Sequence, residues 1–514
     1  MSKRPVITFF CKQCGHETAR WEGRCPACQE WDTLVEAPSE SKTLARRGQR
    51  ARSGSSTSLA SLGPSSAPRS LSEHAREKLP RINIALTEVH RVLGGGIVPG
   101  GSVLVGGEPG IGKSTLMLQL LASLAASHSA PMPMINKHEN SPPPPPPFQE
   151  GENKGGRSPV WLYITGEEAP SQIAARGLRL AGAGAQTTAK NVATGFHSEH
   201  LKLASETDLT TILEMLEAEQ PQVAVIDSIQ TLRDAEIPSA AGSVTQVREC
   251  AMALVDAARR LNTAVFLIGH VTKDGTIAGP RVLEHIVDTV LNFEGETRLD
   301  LRCLRTSKNR FGSTDEIGFF EMTQAGLVEV PDPSTALLDR DGAADKGPGS
   351  AVGALCEGTR VLLVELQALT VPVPGGGSPR RRASGLDANR LAQLLAVLET
   401  RAGIGFGALD VFASAAGGFR VEEPAADLPL ALALASIASG RMVREGLVAA
   451  GEVGLGGEIR PIPRLEARVA EACRLGFKTL LLPARGRTHL PDSIDGARIL
   501  RAKTLREALA LGLV

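Results

Sequence analysis

The sequence predicts an α/β protein: a P-loop nucleotide-binding domain, preceded by a four-cysteine module and followed by a second, α+β domain. Three observations support this. Two CxxC pairs lie near the N-terminus, a glycine-rich loop stands between an apolar run and a helical segment, and apolar runs alternate with helical segments beyond it. Such alternation is typical of a parallel sheet covered by helices on both faces. The 514 residues suffice for two or three domains.

The first four cysteines form two pairs separated by ten residues: Cys11 with Cys14, and Cys25 with Cys28. Two such pairs supply the closed tetrahedral set of four thiolates that Zn²⁺ prefers in structural sites. A redox CxxC is the alternative, but a redox pair needs no duplicate, and so short a segment needs a staple to fold. We therefore expect a structural zinc module over residues 1–36.

Changes in composition divide the rest of the chain. Residues 37–70, rich in Ser, Gly, Pro and Arg, are expected to form a flexible linker, and residues 71–330 the nucleotide domain. Within that domain, residues 128–158 form a proline-rich insertion, which we expect on the surface. A second linker is predicted at 331–350 and a second domain at 351–514.

The glycine-rich loop is the strongest functional signal, because it follows an apolar strand and opens a helix. Its backbone N–H groups are expected to converge on phosphate oxygens, with Lys113 reaching the β- and γ-phosphates and the Ser114 hydroxyl ligating Mg²⁺. A tight turn without a ligand is the alternative. The predicted cofactors are ATP and Mg²⁺. The predicted nucleotide-binding residues are Gly107, Glu108, Pro109, Gly110, Ile111, Gly112, Lys113, Ser114 and Thr115.

Acidic residues end two of the predicted strands. Asp227 closes the apolar run 223–227, where an acid commonly holds Mg²⁺ through water, although a strand-ending Asp at a turn is also possible. Glu167 and Glu168 follow the run 160–165, and one of them could orient the attacking water. The pattern resembles the RecA-like ATPase core, in which a Glu at this strand end activates water. Glu167 is the better match to that position.

Four motifs together resemble the bacterial RadA (Sms) family of DNA-repair proteins. They are the cysteine pairs, residues 93–100 (LGGGIVPG), residues 269–275 (GHVTKDG) and residues 308–312 (KNRFG). The resemblance covers nearly the whole chain apart from the proline-rich insertion. It implies a ring-forming, DNA-stimulated ATPase, expected as a homo-hexamer, which acts on single-stranded and branched DNA. It also implies branch migration of recombination intermediates alongside the RecA recombinase.

Lys308 and Arg310 follow a strand predicted at 299–306. They could project from one subunit onto the nucleotide of its neighbour, where a cation stabilises charge on the transferring phosphoryl group. A solvent-facing basic turn is the alternative on these residues alone. The family resemblance favours the catalytic role for both residues.

Any DNA contact must come from local patches, because Lys+Arg and Asp+Glu both number 56. Two segments are candidates for the channel loops of a RecA-like ring: residues 234–246, and residues 272–284 with Lys273 and Arg281. Both are equally consistent with ordinary flexible loops. Aromatic residues make up only 3% of the chain, so base-stacking platforms are scarce and sequence-specific recognition is not expected.

The C-terminal region resembles the proteolytic domain of Lon, which uses a Ser–Lys dyad. By our alignment, Ala425 stands at the serine position and Glu466 at the lysine position, so neither half of the dyad is present. We therefore expect a scaffold for ring assembly. We also expect DNA contacts from three consecutive arginines, for which a solvated loop is the equal alternative: Arg380, Arg381 and Arg382.

Two other functions remain open: an ATP-dependent protease of Lon type, against which Ala425 argues, and a non-motor ATP-binding adaptor that docks partners through the zinc module. The chain shows no signal-peptide pattern and no apolar run long enough to cross a membrane. We expect a soluble, cytoplasmic protein with no membrane partner.

Overall fold

A computed structural model describes most of the three predicted domains. The residues it describes are 9–11, 17–18, 20–26, 31, 34–36, 80–129, 158–183, 190–269, 280–295, 301–338, 347–373, 377–416, 419–486 and 490–514. The linker predicted at 37–70 and all but the ends of the insertion at 128–158 lie outside these residues, as do Cys14, Cys28 and Lys273.

The N-terminal module is a three-stranded antiparallel sheet in the order β2-β1-β3. Its strands are β1 (Phe9–Cys11), β2 (Glu17–Thr18) and β3 (Leu34–Glu36). Cys25 lies between β2 and β3 in the sequence and is buried.

The central domain contains a nine-stranded sheet in the order β12-β11-β10-β9-β4-β8-β7-β5-β6. The six strands from β9 to β6 are parallel, and three antiparallel strands extend one edge. The strands are β4 (Ser102–Gly107), β5 (Trp161–Thr165), β6 (Leu201–Ser205), β7 (Val223–Asp227), β8 (Ala264–Ile268), β9 (Thr289–Gly295), β10 (Leu301–Asn309), β11 (Ile317–Thr323) and β12 (Gly326–Glu329). The apolar runs at 160–165 and 223–227, which were predicted as strands, form β5 and β7, with a shift of one residue at the start of β5.

Two apolar clusters cover the two faces of this sheet. Residues that alternate along a strand belong to different clusters: Tyr163 and Val225 to one, Ile164 and Ile226 to the other. This double burial explains why the strands are continuous apolar runs. The helices described for this domain are α1 (Thr87–Val92), α2 (Lys113–Ser129), α3 (Pro170–Ala183), α4 (Lys190–Gly195), α5 (Leu209–Glu219), α6 (Val244–Leu261) and α7 (Pro280–Ile286).

The linker predicted at 331–350 contains a short helix, α8 (Pro333–Leu337), which begins at a proline, a residue favoured at the first helical position. Leu337 and Leu338 are buried in the core of the C-terminal domain. Part of the segment predicted as a linker from its polar and proline-rich composition is therefore structured and packed in the core.

The C-terminal domain is an α+β unit around an eight-stranded sheet in the order β15-β16-β14-β13-β17-β20-β22-β21. The strands, including the separate hairpin β18-β19, are β13 (Ser350–Glu357), β14 (Arg360–Pro372), β15 (Arg381–Ser384), β16 (Leu409–Ala415), β17 (Leu447–Ala449), β18 (Glu452–Val453), β19 (Ile459–Arg460), β20 (Thr479–Pro483), β21 (Ser493–Ile494) and β22 (Ala497–Ala502). Its helices are α9 (Ala388–Val397), α10 (Asp427–Ser439), α11 (Leu465–Arg474) and α12 (Leu505–Gly512).

The second and third domains share a buried contact. Ile317 and Phe319 of β11 belong to the same apolar cluster as the C-terminal core. Beside them, the Arg360 guanidinium lies 2.6 Å from the Glu88 carboxylate and 5.2 Å from the centroid of the Phe319 ring. Glu88 is 1% exposed, so this ion pair is part of the interior. Among the described helices, none combines the length and the apolar character that a membrane crossing requires.

Candidate nucleotide-binding site

The glycine-rich loop leaves the carboxyl end of β4 and opens directly into α2, as predicted. Gly107 and Gly112 have φ angles of 154° and 113°. A Cβ atom at Gly107 would lie 2.5 Å from the Phe293 carbonyl oxygen, and one at Gly112 would lie 2.7 Å from the Met322 methyl carbon. Side chains are thus excluded at both positions, which lets the backbone curl tightly while residues 108–110 stay exposed.

Lys113 is buried against this loop. Its Nζ donates to the carbonyl oxygens of Gly107, at 2.8 Å, and Glu108, at 2.9 Å. Burial lowers the pKa of the Lys113 ammonium to about 8, although the charges of Asp227, Glu167 and Glu108 favour the protonated form. The ammonium therefore lies where three chain segments meet. Its hydrogen bonds to two neutral carbonyl oxygens are weaker than those it would make to an anion.

Asp227 ends β7 and is almost fully buried. Its Oδ2 accepts a hydrogen bond of 2.5 Å from the Tyr163 hydroxyl on β5. Burial, and then the charge of Asp227, raises the pKa of the Tyr163 phenol. Our sequence reasoning missed Tyr163; its signal was one tyrosine, the only one in the chain, within an aliphatic strand.

The two acids after β5 face different partners. Glu167 Oε1 accepts from the Ser228 hydroxyl at 2.6 Å, one residue beyond Asp227. Glu168 instead pairs with Arg176 of α3 at 2.6 Å. This arrangement turns Glu167 toward the end of β7 and engages Glu168 elsewhere.

The residues at this end of the sheet fit a magnesium–nucleotide ligand. Ser114 and Asp227 supply hydroxyl and carboxylate oxygens, the hard donors that Mg²⁺ prefers. In the N-terminal module, the Cys25 thiol is buried and Cys11 ends β1. Thiolates are the donors that structural zinc prefers. The side chain of Cys11 lies outside the described residues, as do Cys14 and Cys28.

Lys308 and Arg310 lie at the opposite end of the sheet from the glycine-rich loop. Lys308 pairs with Val290, which pairs with Leu104, whereas the loop begins at Gly107. Three strand residues span about 10 Å, so neither cation adjoins the loop of its own chain. The strand predicted at 299–306 is shifted toward the C-terminus, because β10 spans Leu301–Asn309 and therefore includes Lys308.

Both cations have partners within the chain. Lys308 Nζ donates to the carbonyl oxygens of Glu284 and Val287, at 2.6 and 2.8 Å, at the C-terminal end of α7. A cation there satisfies helix-end carbonyls that have no partner in the helix. Arg310 lies 3.0 Å from Asp288 and remains about half exposed.

The first segment predicted as a flexible DNA loop, residues 234–246, is held firmly. Its last residues begin α6 at Val244. The buried Gln246 side chain accepts from the Asp234 N–H at 2.9 Å and donates to three carbonyl oxygens. These acceptors are the carbonyls of Asp234, Ile237 and Ser239. The small and polar composition therefore marks a pinned turn.

The other predicted DNA residues are in different settings. Arg281 lies in α7, which occupies the end of the segment 272–284, but its side chain is outside the described residues, as is all of Lys273. Arg381 and Arg382 form part of β15, an edge strand, where a loop was the alternative. The Arg381 side chain donates to backbone carbonyls, including that of Phe406 at 2.8 Å, whereas Arg380 and Arg382 are exposed.

The C-terminal domain brings together the two segments aligned with the Lon dyad. The Gly451 N–H donates to the Ala425 carbonyl at 2.9 Å, and Ala425 is buried with only a methyl group. Glu466 lies exposed on α11. Two residues later, the buried Arg468 pairs with Glu423, so an ion pair joins the two segments.

A cleft of about 610 Å³ remains beside Ala425. Asp427 lines it and pairs with Arg390, with the Arg390 Nε at 2.7 Å. Burial raises the pKa of the Asp427 carboxyl, and the bonds from Arg390 and the Val453 N–H oppose that rise. The cleft is therefore lined by charged side chains, Arg390 and Asp427 among them, whereas position 425 carries no nucleophile.

Comparisons with known families agree with the three-part organisation. Residues 9–36 match the rubredoxin metal-binding domain, a zinc ribbon, and residues 72–276 match the AAA domain. Residues 412–513 match the C-terminal proteolytic domain of Lon protease (S16). The chain thus combines a metal-binding ribbon, an ATPase domain with a RecA-like core, and a Lon-type domain.

Whole-chain relatives extend this agreement. The chain is 42% identical over 508 residues to the DNA repair protein RadA of Halalkalibacterium halodurans, with 98% of each chain covered. It is 43% identical to that of Synechocystis, covering 98% of this chain and 94% of the relative. It is 40% identical to that of Escherichia coli, with 99% of both chains covered. At this identity and coverage, the chain belongs to the RadA family of DNA repair proteins.

Proposed function

We propose that this protein is a DNA-stimulated ATP hydrolase that drives branch migration of recombination intermediates together with a RecA recombinase. One observation carries the proposal. Lys113 and Ser114 of the loop, Glu167 after β5 and Asp227 of β7 converge at one end of the parallel sheet. Open α/β sheets bind their ligands at this end.

Each of these residues has a role in hydrolysis. Lys113 exchanges its two carbonyl acceptors for β- and γ-phosphate oxygens, and the loop N–H groups bind the remaining phosphate charge. Glu167, fixed by Ser228, orients the attacking water. Bound Mg²⁺, held by Ser114 and through water by Asp227, would neutralise charge on the phosphates.

The site is completed by a second subunit in this proposal. Lys308 and Arg310 lie at the end of the sheet away from their own loop, so only an adjacent subunit can receive them. In a homo-hexameric ring, each subunit would offer both cations to the nucleotide of the next. Lys308 must then leave the carbonyls at the end of α7. Assembly and hydrolysis would be coupled by this exchange.

DNA contacts are assigned to two places. The exposed Arg380 and Arg382 of the C-terminal domain can pair with phosphates, as can Lys273 and Arg281 in the central one. The pinned turn at 234–243 presents a fixed backbone surface beside β7. We assign the four-cysteine ribbon a structural Zn²⁺ and a docking role.

The proposal is tested on three-stranded intermediates made by RecA from labelled DNA. We expect purified protein and ATP to extend the heteroduplex, and Glu167→Gln to bind ATP without extending it. Extension that is equal for the wild type and Glu167→Gln, or absent with both, would contradict the proposal. Casein included in the same reactions tests the Lon-type alternative, and we expect it to remain intact because Ala425 has no hydroxyl.

The adaptor alternative makes a different prediction. A non-motor adaptor would bind ATP and dock partners through the zinc ribbon, but DNA would not accelerate its turnover. The position of Glu167 against Ser228 favours hydrolysis over simple binding, because binding alone needs no fixed acid beside the nucleotide.

A further inference from the structure

We propose that Tyr163 is a positioning residue that holds the carboxylate of Asp227 in the geometry proposed for magnesium binding. This inference rests on the proposed magnesium–ATP site and adds a residue to it. Tyr163 lies on β5, between the strand that carries Asp227 and the edge strand β6. Its ring packs in the apolar cluster that includes Leu116 and Leu120 of α2.

A hydrogen bond gives the phenol a defined direction. Its only proton goes to Asp227 Oδ2, at 2.5 Å. The bond runs from the Tyr163 hydroxyl to the Asp227 carboxylate and joins two strands whose residues lie 64 positions apart in the sequence.

This bond prepares the Asp227 carboxylate for a cation. Because Tyr163 occupies Oδ2 of Asp227, the other oxygen, Oδ1, is the one left to accept from metal-bound water. Burial fixes the phenol: Tyr163 is 1% exposed and Asp227 is 8% exposed.

Loss of the Tyr163 hydroxyl should weaken the binding of magnesium more than the binding of nucleotide alone. Tyr163→Phe keeps the ring and removes the hydroxyl, so Asp227 Oδ2 loses its fixed hydrogen-bond donor. Nucleotide phosphates would still bind the loop N–H groups and Lys113. A purely structural role would instead lower stability and leave the effect of magnesium on nucleotide affinity unchanged.

The experiment measures the Kd of fluorescent ADP with excess Mg²⁺ and with EDTA, and takes the ratio as the magnesium enhancement. We expect Tyr163→Phe to reduce that ratio about three- to tenfold, the typical net effect of losing one hydrogen bond, with the Kd in EDTA unchanged. Trp161→Phe, on the same strand and in the same cluster, is the control for packing and should keep the wild-type ratio. An unchanged ratio in Tyr163→Phe overturns the inference.

A second measurement needs no substitution. Tyr163 is the only tyrosine in the chain, so 3-fluorotyrosine gives a single ¹⁹F resonance from this position. We expect it to shift when Mg²⁺ is added to the ADP complex; a resonance indifferent to Mg²⁺ overturns the inference. If wild-type protein itself shows no magnesium enhancement, the proposed magnesium site fails as well. An enhancement that Tyr163→Phe leaves intact removes the positioning role alone.

Discussion

At the scale of single residues, the site depends on buried polar groups whose charged form is disfavoured by burial. Lys113 keeps an ammonium in a buried place because three carboxylates lie near it. Its presence in the loop was predictable, since the motif is local. The partners of Tyr163 and Gln246 were not, because each bonds groups that are far away in the sequence or in a turn that only the folded chain forms.

The lowered pKa of Lys113, about 8, predicts how nucleotide affinity depends on pH. Phosphate binding needs the protonated amine, so the contribution of Lys113 is fully present well below pH 8 and is lost as the pH rises through that value. Above it, we expect the affinity ratio between the wild type and Lys113→Ala to fall by up to about tenfold per pH unit. Fluorescent ADP titrations from acidic to alkaline pH measure this ratio, and a constant ratio would refute the assignment.

The free energy of unfolding should depend on pH in the opposite direction to nucleotide affinity. The folded-state pKa of Lys113 is below its ordinary 10.5, so between about pH 8 and 10.5 the unfolded chain retains a proton that the folded chain has released. The free energy of unfolding then rises with pH in that window, by this residue's contribution. In Lys113→Ala that contribution is absent.

At the scale of secondary-structure elements, apolar strand runs and the strand–loop–helix motif were predictable because each is a local pattern. The helix α8 and the pinned turn before α6 were missed, because polar, proline-rich and small-residue composition resembles that of a loop. Only the burial of Leu337 and Gln246 distinguishes them from loops, and burial is decided by distant segments.

The cysteine ribbon gives a prediction at this scale. Cys25→Ser removes one thiolate of a four-thiolate set, so we expect wild-type protein to hold about one zinc per chain and the variant to lose most of it. Cys250→Ser is the matched control, because Cys250 is buried in α6 and belongs to no CxxC pair. Zinc is measured by mass spectrometry of the dialysed proteins. Full zinc content in Cys25→Ser would contradict the four-thiolate site.

At the scale of the whole molecule, the ATPase and Lon-type domains meet through a buried ion pair, which ties the core sheet to a domain that lacks its catalytic dyad. The sequence could align the Lon-type segments but could not show that Arg360 of β14 reaches Glu88 of α1, 272 residues away. The C-terminal domain thus packs directly against the ATPase domain.

We expect Arg360→Ala to destabilise this junction by about 3–5 kcal/mol, because Glu88 keeps a buried charge without that partner. Calorimetry should show the first thermal transition shifted down. Arg382→Ala, at an exposed position on β15, serves as the control and should melt like the wild type. Equal melting of the two variants would show that the junction does not depend on the pair.

The trans arrangement is tested by mixing two inactive variants. Lys113→Ala lacks the loop cation but keeps Lys308, whereas Lys308→Ala keeps an intact loop. In the proposed ring, a mixture of the two variants would include interfaces that combine the intact loop of one subunit with the Lys308 of its neighbour, so ATP hydrolysis should reappear on mixing. Activity no greater than the sum of the two separate variants would contradict trans action. Melting curves of each variant, taken beforehand, establish that both are folded.

The most direct test of the DNA motor is the rate of ATP hydrolysis by the purified protein with and without single-stranded DNA, beside Lys113→Ala. We predict strong stimulation by DNA that the variant loses entirely, because the proposal assigns ATP turnover to the loop of residues 107–115 and Lys113 lies against that loop. Turnover that ignores DNA, or that survives in Lys113→Ala, would contradict this account.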